Sequence, residues 1–223
     1  MKLHLGCGQR YLGGYVNIDF PPTEHTVQVG SVADRHADLL ELTYPEGSVE
    51  EIRLHHVFEH FARHTACALV ASWQSWLKVG GLLRIEVPDL LLTGLAALNP
   101  FAAVRSRCVA ERHLFGSHEA GWASHKEAYS AGQLGGLLKT FGFAIDRVNR
   151  NRWRGTYNFE VLAHKKRSIG RAECERAARV YLSAFLIDDS PTEQRLIDVW
   201  MDGFRHQVSK SWADAEVRPS GRE

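Results

Sequence analysis

Three ionisable side chains lie close together in the segment His56-Val-Phe-Glu59-His60. If residues 57–61 form a helical turn, His56, Glu59 and His60 project from one face, because positions three and four apart are neighbours on a helix. Two imidazoles and a carboxylate grouped in this way suit either proton transfer near neutral pH or the binding of a divalent metal. His125, much further along the chain, is a candidate to complete the group.

A second candidate site is the turn Gly6-Cys7-Gly8, which follows the apolar-rich run of residues 2–5. Small residues at the carboxyl end of a strand let backbone N–H groups approach a ligand closely. A dinucleotide-binding turn would have a third glycine at position 11, where this chain has Tyr11, and no phosphate-binding lysine motif follows. A pyrophosphate site is therefore disfavoured.

Two acidic residues follow later strand-like runs. Asp19 ends an alternating run that begins at Tyr15, in a place where a carboxylate can accept hydrogen bonds from both hydroxyls of an adenosine ribose. Asp38, followed by Leu39, comes after a third strand-like region, where an acidic side chain can hold an adenine amino group. Together with the glycine turn, these residues indicate a ligand that contains adenosine.

Six segments occur in a characteristic order over about residues 1–165: Leu3-His-Leu-Gly-Cys-Gly8, Asn17-Ile-Asp19, His56-Val-Phe-Glu-His60, Leu77-Lys-Val-Gly-Gly-Leu82, Val87-Pro-Asp89 and residues 125–143. This series resembles class I S-adenosylmethionine-dependent methyltransferases. In particular, it is similar to a small branch associated with polysaccharide and sugar modification. That branch carries the patterns L-G-C-G, G-[WY]-x-N-x-D and H-V-x-E-H.

The resemblance implies an α/β fold, a Rossmann-like seven-stranded sheet that is mostly parallel, flanked by helices, with its last strand reversed. It also implies that S-adenosylmethionine lies over Gly6, Cys7 and Gly8, and we expect His56 near its methionine end. Only about ten residues separate Gly8 from Asp19, too few for a full first helix. This spacing predicts a more open pocket than in larger relatives.

The histidine–glutamate group has three alternative roles. Some methyltransferases, including small-RNA 2′-O-methyltransferases and O-methyltransferases of ubiquinone synthesis, hold a divalent cation with a related E-x-x-E-H arrangement and a distant histidine. By that resemblance His56, Glu59, His60 and His125 are candidate metal ligands, and the metal would lower the pKa of a substrate hydroxyl. Without a metal, His60 or His125 is a candidate general base. The third alternative is that the group is structural.

The elements that position these residues alternate between strands and helices. Residues 65–78 carry a helical apolar stripe that Gly80 and Gly81 are predicted to end, and residues 82–87 form the next strand. A helix over residues 130–140 and strands over 143–148 and 156–163 follow. Strand, helix and strand in short order predict a parallel sheet.

The composition changes after residue 165. The sequence predicts a methyltransferase-like domain over residues 1–165, a helical extension over 166–210 with helices at 171–186 and 190–208, and a flexible tail over 211–223. The apolar faces of the two helices must be covered, either by the domain or by a second subunit. A homodimer through these helices is therefore one prediction.

Composition excludes several classes. Lys plus Arg is 27 and Asp plus Glu is 26, so the chain lacks the basic excess of an autonomous DNA-binding domain. The longest uncharged stretch, residues 90–104, is too short and too polar for a membrane span, and no leader-like apolar run follows Met1. The four cysteines are far apart, which favours reduced thiols and a cytoplasmic location.

We therefore expect methyl transfer to an oxygen, or less favourably a nitrogen, of a sugar, glycan precursor or other small natural product. Acceptor choice is assigned to pocket shape and to loops over residues 90–123, with Trp122 as a candidate wall. Two alternatives stay open. One is a catalytically silent partner subunit that binds the cofactor. The other is an RNA-modifying enzyme that uses the ten Lys and Arg residues between Phe143 and Arg179, although overall neutrality makes nucleic acid an unfavoured partner.

Overall fold

A computed structural model describes residues 1–27 and 30–212 of the chain. Seven strands form one sheet in the order β3-β2-β1-β4-β5-β7-β6. All neighbours pair in parallel except β7, which is antiparallel to both β5 and β6. This confirms the predicted mostly parallel sheet with a reversed last strand. The strands are Lys2–Leu5 (β1), Val16–Asp19 (β2), Arg35–His36 (β3), Val49–His55 (β4), Leu77–Pro88 (β5), Phe143–Trp153 (β6) and Thr156–Lys165 (β7).

Six α-helices accompany the sheet within the described residues. They are Arg63–Trp76 (α1), Leu90–Leu98 (α2), Val104–Phe115 (α3), Ala131–Thr140 (α4), Arg171–Ser183 (α5) and Pro191–Trp212 (α6). The central strands β1, β4 and β5 bury their aliphatic side chains against these helices, and α1 places Trp73 and Trp76 fully inside the core. Central strands buried in this way are typical of sheets covered on both faces.

The boundary between α1 and β5 differs from the prediction. The helix ends at Trp76 and the strand begins directly at Leu77, so the prediction that Gly80 and Gly81 end the helix was wrong. These glycines lie inside β5, where the pairing register with β4 shifts. Gly80 has a φ of +80°. Such a left-handed residue suits a bulge, which glycine forms without steric cost.

Residues 90–98 and 104–115 are helical, although the sequence predicted loops over residues 90–123. Asp89 starts α2, because its Oδ1 accepts hydrogen bonds from the backbone N–H groups of Leu91 and Leu92 at 3.1 Å each. Only Thr93 of α2 is buried. The buried apolar stripe by which a helix is normally predicted is therefore missing from this one.

The two carboxyl-terminal helices pack on the domain. α6 buries Ile197, Met201, Phe204 and Val208 toward the core. At Gly203 it approaches α1 so closely that a Cβ would lie 2.6 Å from the His64 ring. A homodimer through these helices stays a prediction. α6 runs to Trp212, two residues into the predicted tail, and the remainder of that tail lies outside the described residues.

Two further expectations concern the cysteines and the membrane. Cys7, Cys67 and Cys174 are buried free thiols and Cys108 is an exposed one. Among the described residues, no helix combines the length and the apolar character needed to cross a bilayer.

Candidate active site

A cavity of about 550 Å³ opens at the carboxyl ends of β1, β2 and β4. In open parallel sheets, ligands bind at the carboxyl ends of the strands, at the point where the connections from two adjacent strands run to opposite sides of the sheet. All seven residues predicted to contact the cofactor line this cavity: Gly6, Cys7, Gly8, Asp19, Asp38, Leu39 and His56. Of the three predicted catalytic residues, His60 lines it, whereas Glu59 and His125 do not.

The glycine turn after β1 has the conformation that its sequence requires. Gly6 and Gly8 have φ values of +66° and +53°, which favour glycine. A Cβ on Gly6 would lie 2.2 Å from a methyl group of Val57, so no larger residue fits there. A Cβ on Gly8 would meet no atom within 4 Å. The backbone at Gly8 is therefore open to a ligand in the cavity.

Asp19 connects this turn to the end of β2. Its Oδ2 accepts a hydrogen bond from the Gly8 N–H at 2.7 Å, and its Oδ1 accepts one from the Phe20 N–H at 2.8 Å. His25 Nε2 lies 3.8 Å from Oδ1. Because a carboxylate offers about four lone-pair sites, both oxygens keep capacity for further donors.

Asp38 and Leu39 lie beyond β3, the strand next to β2 at the sheet edge. The Oδ1 of Asp38 accepts a hydrogen bond from the Leu40 N–H at 2.9 Å and so begins a short 3₁₀ turn over Leu39–Glu41. Leu39 is largely buried, belongs to the core cluster and also lines the cavity. The predicted adenine-contacting pair thus contributes one polar and one apolar group to the cavity.

His56 lies between two carboxylates. Its Nδ1 is 3.3 Å from Glu59 Oε1, its Nε2 is 3.5 Å from Glu86 Oε1, and its φ of +53° carries the chain out of β4. Burial alone would lower the pKa of His56, but the contacts with Glu59 and Glu86 outweigh it and raise that pKa to about 10. His56 is therefore an imidazolium at neutral pH.

Glu59 is the most enclosed of the predicted catalytic residues, with 1% of its side chain exposed. Within the described residues, neither of its carboxylate oxygens accepts a hydrogen bond of standard geometry. Burial alone would raise the pKa of Glu59, but the imidazoles of His56, His60 and His125 outweigh this effect and hold it below the ordinary value. The carboxylate is thus a buried negative charge compensated by histidines.

His60 and His125 meet beside this carboxylate. Their ring centroids are 4.7 Å apart, and the two ring planes are nearly perpendicular. Glu59, His60 and His125 each offer one possible ligand atom, and these three atoms all lie within 4.8 Å of one another. His125 Nδ1 donates to the Leu114 carbonyl at 3.0 Å, which leaves Nε2 facing Glu59 Oε1 at 4.0 Å. Three of the four predicted metal candidates therefore come together, while His56 is held by its own ion pairs.

Two loops that contact each other wall the cavity. Trp122 lines it, as the sequence suggested, and its Nε1 donates to the Glu24 carbonyl at 3.0 Å. The Trp122 ring also meets the His25 ring edge-on at 5.4 Å. A further link joins Thr26 Oγ1 to Glu119 Oε2 at 3.1 Å. The loop after β2 is thus tied to the loop after α3 beside the cavity.

Several residues of the site carry no sequence motif. Glu86 is one of the alternating residues of β5, and it reaches His56 because β5 pairs with β4 in a register that sets His55 opposite Glu86. His113 of α3 lies against the His56 ring at 5.4 Å. His25 stands alone in a loop. Sheet pairing is the one signal that could have indicated Glu86, and a sequence alone does not fix it.

His55 belongs to a different polar group, although it also lines the cavity. Arg53 Nε donates to His55 Nε2 at 3.0 Å, and His55 Nδ1 lies 3.2 Å from Nε2 of His4. His4 Nδ1 in turn lies 3.0 Å from Asn17 Oδ1. Burial and the positive charge of Arg53 lower the pKa of His55 to about 3. This imidazole is therefore neutral.

Several of the basic residues between positions 143 and 179 have their charge engaged within the chain. Lys165 is buried and its Nζ donates to the Leu77 carbonyl at 2.7 Å. Arg167 and Arg179 pair with acidic side chains of α5 and α6. These three residues are therefore less available to an RNA backbone than the sequence count suggests.

No protein-family model matches the sequence, and no curated protein matches it. Solved structures do match. A candidate S-adenosylmethionine-dependent methyltransferase from Listeria monocytogenes aligns with a TM-score of 0.52 at 12% identity, covering 74% of this chain and 91% of that chain. One such methyltransferase from Mesorhizobium loti gives 0.50 at 15% identity, covering 73% and 89%. Another from Archaeoglobus fulgidus gives 0.50 at 14% identity, covering 74% and 85%.

At these identities the likeness is one of fold. The strand order, the reversed β7 and the flanking helices are those of the Rossmann-like fold of class I S-adenosylmethionine-dependent methyltransferases. The fold predicted from the resemblance is thus confirmed. The comparisons do not reach the sugar-modifying branch, which stays a prediction.

Proposed function

We propose that this chain is an S-adenosylmethionine-dependent methyltransferase that methylates a hydroxyl group, or less favourably an amine, of a sugar, glycan precursor or other small natural product. One observation carries the proposal: the glycine turn, Asp19, Asp38 and the charged His56 line a single cavity of about 550 Å³. This is an ordinary volume for a cavity that holds a small-molecule ligand.

The residues of the cavity fit the cofactor. The backbone at Gly8 would contact it closely, because no atom lies within 4 Å of the Cβ position there, and Gly6 and Cys7 of the same turn also line the cavity. Asp19 would accept hydrogen bonds from the ribose hydroxyls, and Asp38 with Leu39 would hold the adenine. When bound, the cofactor supplies an electrophilic methyl group on a sulfonium centre. The chain's own contribution is then to orient the acceptor and to remove its proton.

The proton acceptor is drawn from the group around Glu59. His60 lines the cavity, so its imidazole is the candidate to accept a proton from an acceptor hydroxyl; His125 lies edge-on behind it, outside the cavity lining, and is the alternative base. The buried carboxylate of Glu59 would stabilise the imidazolium that forms. His125 presents Nε2 without a proton, since its Nδ1 donates to Leu114.

Calorimetric titration with S-adenosylhomocysteine tests the proposal on the wild type, Asp19→Asn and the control Asp189→Ala. Asp189 is an exposed aspartate in the turn between α5 and α6. We expect micromolar binding by the wild type and the control, and about 100-fold weaker binding by Asp19→Asn, because charge-assisted hydrogen bonds are lost. Thermal melting checks that each variant folds. Failure of the wild type to bind would contradict the proposal and favour a silent subunit.

A second candidate, a metal-assisted form of the same reaction, rests on two observations: the oxygens of Glu59 accept no hydrogen bond of standard geometry, and the distances among Glu59, His60 and His125 are short. A divalent cation held there would polarise the acceptor hydroxyl. Titration with zinc and with manganese, on the wild type and on His125→Ala, tests it. Binding lost in His125→Ala supports the metal, and full methyl transfer in chelator would rule it out.

A further inference from the structure

His25 lines the cavity, and one of its ring nitrogens has no hydrogen-bonding partner there. Its side chain is 9% exposed, and the buried Nε2 makes no hydrogen bond among the described residues. Buried polar atoms of folded proteins are nearly always hydrogen-bonded, because an unmet donor or acceptor costs free energy. An exception on the wall of a binding cavity indicates a ligand that supplies the missing partner.

The chain on both sides of His25 is held against the loop after α3. The Trp122 indole Nε1 donates to the Glu24 carbonyl at 3.0 Å, and Thr26 Oγ1 donates to Glu119 Oε2 at 3.1 Å. The Trp122 ring also contacts the His25 ring edge-on, with the ring centroids 5.4 Å apart. His25 is thus fixed in place before a ligand binds, so little side-chain freedom is lost when it does.

The position of His25 beside Asp19 indicates which group of a ligand it contacts. The distance from His25 Nε2 to Asp19 Oδ1 is 3.8 Å, too long for a hydrogen bond between these two atoms. Because hydrogen bonds from O–H and N–H donors span about 2.7–3.0 Å, one hydroxyl oxygen can lie within reach of both atoms. Such a hydroxyl donates its proton to the carboxylate and accepts a proton from the imidazole.

We propose that His25 is a second binding residue for the ribose of the cofactor, and that its Nε2 donates to the hydroxyl that donates to Asp19 Oδ1. This inference rests on the proposed function, which places the ribose at Asp19. A carboxylate alone accepts the proton of this hydroxyl, whereas the two residues together also supply a donor to its oxygen. The pair therefore selects a cofactor that has this hydroxyl, because a cofactor without it leaves buried polar groups unpaired.

Calorimetric titration with S-adenosylhomocysteine and with its 2′-deoxy and 3′-deoxy analogues tests the proposal on the wild type and on His25→Phe. Phenylalanine keeps a ring against Trp122 but makes no hydrogen bond. We expect His25→Phe to bind S-adenosylhomocysteine about 10-fold more weakly than the wild type, as for one lost hydrogen bond at a buried site. The analogue that lacks the contacted hydroxyl should bind the two proteins within about 2-fold of each other, because neither can make the contact.

The matched control is His206→Phe, which replaces an exposed histidine of α6 that does not line the cavity. It should bind all three ligands as the wild type does. An equal weakening of all three ligands by His25→Phe would overturn the proposal, because His25 would then only shape the cavity wall. Unchanged binding of S-adenosylhomocysteine by His25→Phe would overturn it too. A wild type that binds none of the ligands would contradict the proposed function itself, so the two failures are distinguishable.

A measurement on the wild type covers the case in which thermal melting shows that His25→Phe does not fold. With S-adenosylhomocysteine bound, ¹⁵N NMR should show the Nε2 of His25 protonated and hydrogen-bonded. The analogue that lacks the contacted hydroxyl should not give the same Nε2 shift. An Nε2 shift that is identical with all three ligands would overturn the proposal.

Discussion

His55 and His56 are consecutive in the chain, yet their pKa values lie far apart on opposite sides of the ordinary histidine value. The pKa of His55 is lowered to about 3, by burial first and then by the positive charge of Arg53. Burial acts in the same direction on His56, but Glu59 and Glu86 outweigh it and raise its pKa to about 10. Burial alone therefore does not decide the charge of an imidazole. The charges that face it do.

The two histidines differ because the strand ends between them. His55 is the last residue of β4, and its side chain meets His4 of β1, the neighbouring strand. At His56 the backbone adopts a φ of +53°, and the next side chain turns toward Glu59 and Glu86. The hydrogen-bonded group around the neutral His55, called the neutral group below, links β4, β1 and β2 through Arg53, His55, His4 and Asn17. The group around the charged His56, called the charged group below, consists of His56, Glu59, Glu86, His60 and His125.

In the neutral group, the direction of each hydrogen bond follows from Arg53. A guanidinium only donates, so His55 Nε2 accepts and His55 Nδ1 carries the proton. His55 then donates to His4 Nε2, and His4 Nδ1 donates to the Asn17 side-chain oxygen. The group is a fixed chain of donors with no free base. Under the proposed function, the general base is therefore sought among the histidines around Glu59.

The largest expected effect comes from Glu59→Gln, which removes the negative charge of the carboxylate that faces His56, His60 and His125. We expect methyl transfer to fall at least about 100-fold, as for loss of a positioned acid–base group. The pKa of His56 should fall, since one of its two carboxylates is gone. Turnover assays and NMR titration of the imidazole protons measure the two effects.

Glu86→Gln is the matched control for this prediction. It also removes a carboxylate from His56, but it leaves Glu59 with His60 and His125. The pKa of His56 should fall again, while turnover should fall less than in Glu59→Gln. If both variants keep full turnover, Glu59 has only a structural role.

The second effect is on stability and comes from the neutral group. Arg53→Met removes the donor to His55 Nε2 and one of the two arginines that contact Glu160. We expect the free energy of unfolding to fall by about 1–3 kcal/mol, because a buried acceptor loses its partner. The pKa of His55 should rise toward the ordinary value. Urea unfolding and NMR titration measure both.

Arg152→Met is the control for Arg53→Met, because Arg152 is exposed on the hairpin. Its free energy of unfolding should stay within about 0.5 kcal/mol of the wild type. An equal loss in the two variants would mean that Arg53 does not order the neutral group.

Residues of this site were predictable from the sequence when they directly follow a strand. The glycine turn follows β1, Asp19 is the last residue of β2, and Asp38 comes shortly after β3. The edge of a parallel sheet brings such positions together. Glu59 and His60 were predicted to lie together because they share one short segment, and in the structure they do lie together. The spacing of these residues along the chain was enough to predict that they lie together.

The residues that decide the charges of the site were not predictable in this way. Glu86 reaches His56 only through the β4–β5 pairing, and Arg53 reaches His55 two positions along the same strand without any motif. The helical state of residues 90–98 and 104–115 escaped prediction for another reason. Helix prediction relies on a buried apolar stripe, and α2 exposes its leucines.

The smallest expected effect is the pH dependence of stability, which has opposite signs in the two groups. The pKa of His56 in the folded chain, about 10, exceeds its ordinary value of 6.5, so its contribution is complete below about pH 6.5 and is lost as the pH rises toward 10. The pKa of His55 is about 3, so its contribution is complete above about pH 6.5 and is lost as the pH falls. His56→Gln should therefore flatten the alkaline side of the stability profile, and His55→Gln the acidic side.

Because the His56 side chain is 37% exposed, solvent screens its ion pairs, and we expect its effect to be no more than about 1 kcal/mol. Urea unfolding between pH 5 and pH 9 measures both profiles; over this range each imidazole passes through its ordinary pKa of 6.5 in the unfolded chain. His206→Gln, on the exposed side of α6, is the matched control and should leave both sides unchanged. If His55→Gln and His56→Gln flatten the same side of the stability profile, the assignment of one neutral and one charged histidine is wrong. Two groups whose pKa values shift in opposite directions cannot change the stability in the same pH window.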